Sequence, residues 1–469
     1  MSHPPWLLKL RSSTAFIIAT VWTSSFTDYF LYAMIVPVMP TALVDRANVP
    51  YDDREHWVSI LLICEAAVAF VCCPIFGYLI DVAPTRQLPY LLGLILLGAS
   101  MLLLSLAHTV GLFVVARLLQ GGATAMVAVA GLALLTDSVS STNLGQAIGY
   151  LGSAVALGFM LGPLLGGLVY RVAGYQPVFA MAFAIVAVDM VMRIAVIEKK
   201  VAKRWVSNED SPSGDESQPQ SQPPPDNSSD DTPKRREIPA LFLLVQQPRI
   251  LVSSWGLLVH GIIYAAFDAT IPIFVESKFN WTPLGAGLTF LPSSLTALLE
   301  PYFGTLTDRL TPRPMATISF LLLPIPLCLL RLVTANTTPH IVLFLSLLTL
   351  TGLLMNMCIP ALYLETQQVL DTMERRKPGV FGPRGAVAQA FGIQTMAQFL
   401  GLSLGPLAGV LEGRLGWGGV VTALGVVSGG TAVLMFLFMG RGGDVEGERE
   451  GEGERERLLG DGNRNAGGV

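Results

Sequence analysis

The sequence predicts an all-α membrane protein with twelve transmembrane helices in two pseudo-symmetric six-helix bundles. Three observations lead there. Across 469 residues about half of the side chains are hydrophobic (52%), only 14% are charged, and the mean hydropathy is +0.56, which is too apolar for a soluble chain of this size. Apolar stretches of about 20 residues, long enough to cross the hydrocarbon of a bilayer, recur twelve times. Finally, three patterns of the first half return in the second at offsets of about 235, 227 and 243 residues. A parallel repeat of six spans is the mark of a transporter whose two bundles rock around a site near the bilayer midplane.

The first span, Phe16 to Met39, follows residues 1–15, which are polar and basic, without the pattern of a cleavable signal. This helix is expected to stay. Trp57 to Leu79, Leu88 to Ala107, Val110 to Leu135, Gln146 to Tyr170 and Pro177 to Ile197 complete the first bundle, residues 16–197. Residues 198–240 are expected to form a disordered linker, because Ser, Pro, Gln, Asp and Glu replace large apolar side chains there. The second bundle, residues 241–440, holds Ile250 to Val275, Leu284 to Leu306, Met315 to Val333, Ile341 to Leu364, Val387 to Leu411 and Trp417 to Met439. Residues 441–469, rich in Gly, Glu and Arg, are again expected to be disordered. Short intervening loops require antiparallel neighbours.

Basic residues orient the chain. Lys9, Arg11, Lys199, Lys200, Lys203, Arg204, Arg375, Arg376, Lys377 and Arg384 fall on one side, against Arg46, Arg54, Arg171, Lys278, Arg331 and Arg414 on the other. Both termini and the linker are therefore expected in the cytoplasm. Asn336-Thr337-Thr338 is then a glycosylation sequon on the outer side; an unmodified sequon is the alternative. The net charge of −4 is dominated by linker and tail.

The fifth span carries Gly158, Gly162-Pro163, Gly166 and Gly167, which give a helix a smooth groove where a neighbouring backbone can approach, with a bend at the proline. Gly401, Gly405-Pro406 and Gly409 repeat it, with Val410 in place of the last glycine, so the two halves are expected to differ at this interface. Gly77, Leu79, Asp81 and Arg86 are echoed by Gly304, Leu306, Asp308 and Arg313, and Tyr32 to Pro37 by Phe267 to Pro272.

These residues resemble the major facilitator superfamily, and within it the twelve-span drug:proton antiporters. Gly158 to Gly167 reproduces the fifth-helix motif G-x-x-x-G-P-x-x-G-G; Arg117-Leu118-Leu119-Gln120-Gly121 is similar to the fourth-helix motif R-x-x-Q-G; Gly77 to Asp81 looks like the start of the gating loop G-x-L-a-D-R-x-G-R-K. Val82 and Pro84 depart from that loop, while Asp308-Arg309 with Arg313 keeps more of it. The first helix, Phe26 to Pro40, resembles that of vesicular amine transporters, whereas Glu65 stands where those have a basic residue. The resemblance implies the major facilitator fold, alternating access, gating roles for Gly77, Asp81, Arg86, Gly304, Asp308, Arg309 and Arg313, and export with proton exchange, as in fungal efflux pumps.

Ionisable residues inside spans are costly in hydrocarbon and are functional candidates. Asp28 lies roughly 18 Å into a span of about 30 Å, near the midplane. It is a carboxyl whose protonation alternates with cargo binding, or else one bonded permanently to a neighbouring helix. Glu65 and Arg117, both roughly 10 Å from the outer surface, are expected to pair, as a proton relay or as a structural ion pair. Asp189 is expected to face inward, and Asp268 is a site residue or a solvated vestibule charge. His260 is a neutral-range titrating group or a hydrogen-bonded core histidine. With Tyr29, Tyr32, Tyr264 and Phe267, and with Phe30, it offers a pocket for a planar or cationic cargo, or ordinary packing.

Cys64, Cys72, Cys73, Cys328 and Cys358 fall within spans and make no CxxC, so neither a disulfide framework nor a metal site is expected. No Walker loop, nucleotide fingerprint or catalytic triad is present, which argues against ATP-driven transport, a nucleic-acid partner, a cofactor and an enzyme. The expected protein is a monomer in a lipid bilayer, in the plasma membrane or a vacuolar or vesicular one, whose partners are a small organic substrate and protons. The rivals are a same-fold facilitator or a symporter for a nutrient or amine, and a non-transporting membrane receptor.

Overall fold

The computed structural model describes residues 6–197, 240–281, 283–382 and 385–440, so most of the expected linker and the whole tail lie outside the described residues. Every described element is a helix. Those used below are α1 (Thr14–Ile35), α2 (Arg54–Val82), α3 (Gln87–Leu106), α4 (Val110–Ser138), α5 (Leu144–Ala173), α6 (Tyr175–Ala195), α7 (Pro248–Phe279), α8 (Glu300–Leu310), α9 (Pro312–Leu322), α10 (Thr338–Arg376), α11 (Val387–Leu404) and α12 (Leu407–Phe438).

Nine helices among the described residues are long and apolar enough to cross a membrane, and a tenth is the pair Thr14–Ile35 and Met39–Ala47, bent by 57° at a break that contains Pro37. The remaining two expected spans fall short for local reasons. The stretch Leu284 to Leu306 is divided into Pro283–Leu288, Leu291–Ala297 and Glu300–Leu310, with Pro292 and Pro301 opening the last two pieces, where a missing amide proton is tolerated. α11 is shortened by its break at Gly405-Pro406 and diluted by Gln389, Gln394 and Gln398. α12 carries a turn at Gly416 (φ 68°), the expected boundary between the last two spans. α10 runs on to Arg376, beyond the expected Leu364, because Val369 and Leu370 of that extension are buried beside Leu244 and Ile250.

Within the first half α1 packs on α5, α4 on α2 and α3, and α6 on α3; within the second, α7 packs on α11 and α12, and α9 on α10 and α12. The halves meet where α2 lies against α11 and α5 against α8. The Phe30, Leu94, Phe113 and Phe179 core sits in the first half. A larger one around Phe274, Phe320, Phe344 and Trp417 fills the second, with Phe274 stacked on Trp417 at 4.2 Å. The outside is apolar too: Val71, Leu102, Leu164, Val191, Val433 and Phe436 are exposed, as a surface facing lipid requires. This is an integral, multi-pass membrane protein.

Three of the four motif glycines form the expected groove, and it receives α1. A methyl group added to Gly158 or Gly162 would lie 2.8 Å from the Phe30 backbone, and one on Gly166 would meet the Met34 carbonyl. Gly167 instead faces open space and the corresponding Val410 is exposed, so that replacement lies off the interface; the halves differ at the preceding glycine, where a methyl on Gly166 would meet Met34 and one on Gly409 would come no nearer than 4.0 Å to Ala269.

Candidate substrate cavity and its charged groups

Between the halves lies a cavity with about 1440 Å³ of empty space, its mouth included. Asp28, Tyr29, His260, Tyr264, Phe267 and Asp268 all border it. Tyr32 does not; it packs edge-on against Phe159 at 5.8 Å. Phe159, a motif residue that sequence reasoning passed over, is itself on the cavity wall. Its ring lies 5.2 Å from Tyr29 and 5.6 Å from Tyr264, so one side chain of α5 joins aromatic residues of both halves.

Asp28 is buried in α1, and its Oδ1 accepts a hydrogen bond from the Thr124 hydroxyl of α4 at 2.9 Å. No cation bonds to it among the described residues. His260 is buried with Nδ1 unpartnered, and Asp268 is exposed on the cavity side of α7. Glu300, unnoticed in the sequence, is also on the wall, with Oε2 unpartnered. Neither Lys nor Arg is among the lining residues.

Glu65 and Arg117 are brought together away from the cavity. The guanidinium Nη1 donates to Glu65 Oε2 at 2.7 Å and to Gln120 Oε1 at 3.0 Å, with both charged side chains nearly inaccessible. Gly121, one turn after Arg117, permits this approach: a methyl group there would strike the Glu65 backbone. Tyr32 completes the environment, its ring 5.8 Å from the guanidinium carbon.

Asp189 faces inward and is fully buried, but it serves a network of its own. It pairs with Arg193 at 2.9 Å and accepts from Ser24 at 2.6 Å, while Arg193 also donates to the Tyr90 carbonyl and lies over the Tyr90 ring. Another unforeseen pair, Arg249 and Glu365 at 2.6 Å, ties α7 to α10.

The gating candidates occupy two related seams. Asp81, at the end of α2, accepts from the backbone amides of Ala388 and Gln389 in the first turn of α11, at 3.0 and 2.9 Å. Asp308, at the end of α8, accepts from those of Gly145 and Gln146 in the first turn of α5, at 2.8 and 2.9 Å. Each carboxylate satisfies orphan amides and faces the positive end of a helix dipole in the opposite half. Gly77 and Gly304 let the paired helices touch, since an added methyl would meet the Ala388 carbonyl at 2.8 Å in one case and the Gly145 carbonyl in the other. The arginines differ: Arg86 bonds Asp81 at 2.9 Å and Asp137 at 3.2 Å, whereas Arg313 turns to the Phe436 carbonyl and Arg309 is exposed. Asn336 is exposed, and its side-chain amide donates to the Phe279 carbonyl at 2.9 Å. The five cysteines are free thiols, and no group of metal-binding residues exists among the described residues.

Residues 21–377 match the family model of the Major Facilitator Superfamily. The chain is 30% identical to the MFS-type transporter ppzB of Metarhizium rileyi, over 94% of this chain and 98% of that one. It is 26% identical to a probable vesicular acetylcholine transporter-B of Danio rerio, over 63% of this chain and 55% of that one. In three dimensions it is similar to the human organic anion transporter MFSD10 (TETRAN), with a TM-score of 0.65 at 18% identity, covering 92% of this chain and all of that chain.

Proposed function

The chain belongs to the major facilitator superfamily, and from that premise we propose that it exports a small organic molecule in exchange for protons by alternating access between residues 16–197 and 241–440. The observation that carries this reading is Asp28: a buried carboxyl on the wall of the inter-bundle cavity, held by one neutral hydroxyl and no cation. Such a group binds either a proton or a positively charged cargo group, and competition between the two is the simplest form of exchange. Glu65 and its partner Arg117, set apart from the cavity wall, form a second proton site, and Tyr29, Phe159 and Tyr264 supply ring faces for an aromatic or cationic body. A cavity wall with three carboxylates and no Lys or Arg favours a neutral or cationic cargo. The acetylcholine named for one relative points the same way, while the likeness to the organic anion transporter concerns the fold.

Asp81 and Asp308 hold one end of the assembly shut. Placed by the distribution of Lys and Arg, that end is cytoplasmic, as are both termini, and Asn336 is glycosylated on the other side, in the plasma membrane. The protein works as a monomer, without ATP. The test is flux in proteoliposomes of cargo found by screening organic cations for thermal stabilisation of the purified protein. Gradient-driven exchange that is lost in Asp28→Asn supports the reading. Counterflow that ignores a pH gradient identifies a facilitator instead.

A further inference from the structure

Glu300 has no counterpart in the other half. The offset of about 227 residues that relates Asp81 to Asp308 and Gly77 to Gly304 relates Cys73 to Glu300. The two seams are otherwise alike: a methyl on Gly392 of α11 would meet the Cys73 carbonyl, and one on Gly149 of α5 would meet the Glu300 carbonyl. One seam thus bears a thiol at this place and the other a carboxyl.

The Glu300 carboxyl lies in a notch of α5 left by Gly152, where an added methyl would fall on Oε2. The residue is 2% exposed, and Oε2 has no hydrogen-bond partner. Among the described residues no cation answers it. α5 presents glycines, and α10 presents Cys358 and Tyr363. Across the cavity stand His260, Tyr264 and Asp268 of α7 and Asp28 of α1. Arg313 of α9 is engaged with the Phe436 carbonyl, and Asp308 of α8 itself with α5. An ionised carboxylate without a partner is very unfavourable in such a seam, whereas a neutral carboxyl is tolerated. Because Glu300 borders the cavity, parting α5 from α8 brings it to water.

We propose that Glu300 is a proton-binding latch of the α5–α8 seam. It holds a proton while the seam is closed; on opening, the carboxyl O–H bond breaks and the proton passes to cavity water, and the bond re-forms on closing. The proposal rests on the proton-exchange reading but uses a different residue from Asp28 and acts on helix separation rather than on cargo.

The test places spin labels at Asn143 and Leu310, exposed positions at the ends of the two seam partners, in the full chain with its native cysteines replaced, in lipid nanodiscs. Pulsed dipolar spectroscopy is run from mildly acidic to mildly alkaline buffer. The unmodified seam gains a longer-distance population as pH rises, and Glu300→Gln keeps the short distance throughout. Gly152→Ala, which displaces the carboxyl, shows the long distance already in acid and provides a second reading should Glu300→Gln fail to fold. An equal pH response with and without Glu300→Gln, or no response in either, overturns the latch. Proton-driven flux measured on the same samples separates the two ideas: coupled flux with an unaltered label response refutes the latch alone, and uncoupled flux refutes the exchange reading alone.

Discussion

Removing the Asp308 carboxylate with Asp308→Ala strips two hydrogen bonds, at 2.8 and 2.9 Å, from the first turn of α5. Both bonds cross from one half to the other, so they exist only while this end is shut, and their loss shifts the open–closed equilibrium rather than the stability of either half. Loss of a helix cap costs about 0.5–2 kcal/mol, and bonds to a charged acceptor lie toward the upper part of that range. Asp308 is half-buried, so solvent takes up part of the change. About 1–2 kcal/mol remains, which multiplies the open-to-closed ratio by about 5 to 30. Asp81→Ala is expected to do more, because Asp81 is 4% exposed, accepts a further bond from the Gln389 side chain at 3.3 Å and leaves Arg86 with Asp137. The two sites lie in separate seams, so the double variant adds the two effects. Distances between spin labels at Asn143 and Leu310 read the populations. A distribution unchanged in Asp308→Ala would refute the idea that these caps hold the halves together.

The other expectations concern packing and charge. Gly162→Ala destabilises by roughly 1–3 kcal/mol, since its methyl would sit 2.8 Å from Ala33 and Phe30 atoms, while Gly167→Ala, facing open space inside a helix, does not lower the melting temperature; equal melting of the two refutes the assigned helix face. Arg117→Met strands a buried Glu65 and costs about 3–5 kcal/mol, and the double variant Glu65→Leu with Arg117→Met recovers most of that, as denaturation of the purified proteins would show. Asp189→Ala strands Arg193 in the same way and lowers stability, as denaturation of the purified variant would show.

How much of this was legible in the sequence depended on range. Asp81 and Asp308 stood out because they recur with their glycines at a fixed offset, but their partners, the first amides of α11 and α5, are set by the meeting of the two halves. Glu300 was not marked by that repeat, because Cys73 stands at the corresponding place, and the proline breaks that interrupt its span obscured it as an intramembrane acid. The spacing of Asp189 and Arg193, one helical turn apart, was a local sign of a pair; depth alone does not show that Ser24 and Tyr90 close the network around it. Phe159 reads as filler within a glycine motif, and only the approach of α7 gives its ring a role. Gly167 shows the converse: a motif identity does not say which face of a helix meets a neighbour.

Exchange of a proton for cargo at Asp28, inside the inter-bundle cavity, underlies the proposed transport. The most direct test is uptake of an aromatic monocation, tetraphenylphosphonium, into proteoliposomes with and without an imposed pH gradient, for the unmodified protein and for Asp28→Asn. Thr124 can still donate to the new amide oxygen, so the variant is expected to fold. Gradient-driven uptake is expected in the first and its loss in the second, with melting temperatures alike. Gradient-driven uptake of equal rate in both would contradict exchange at Asp28.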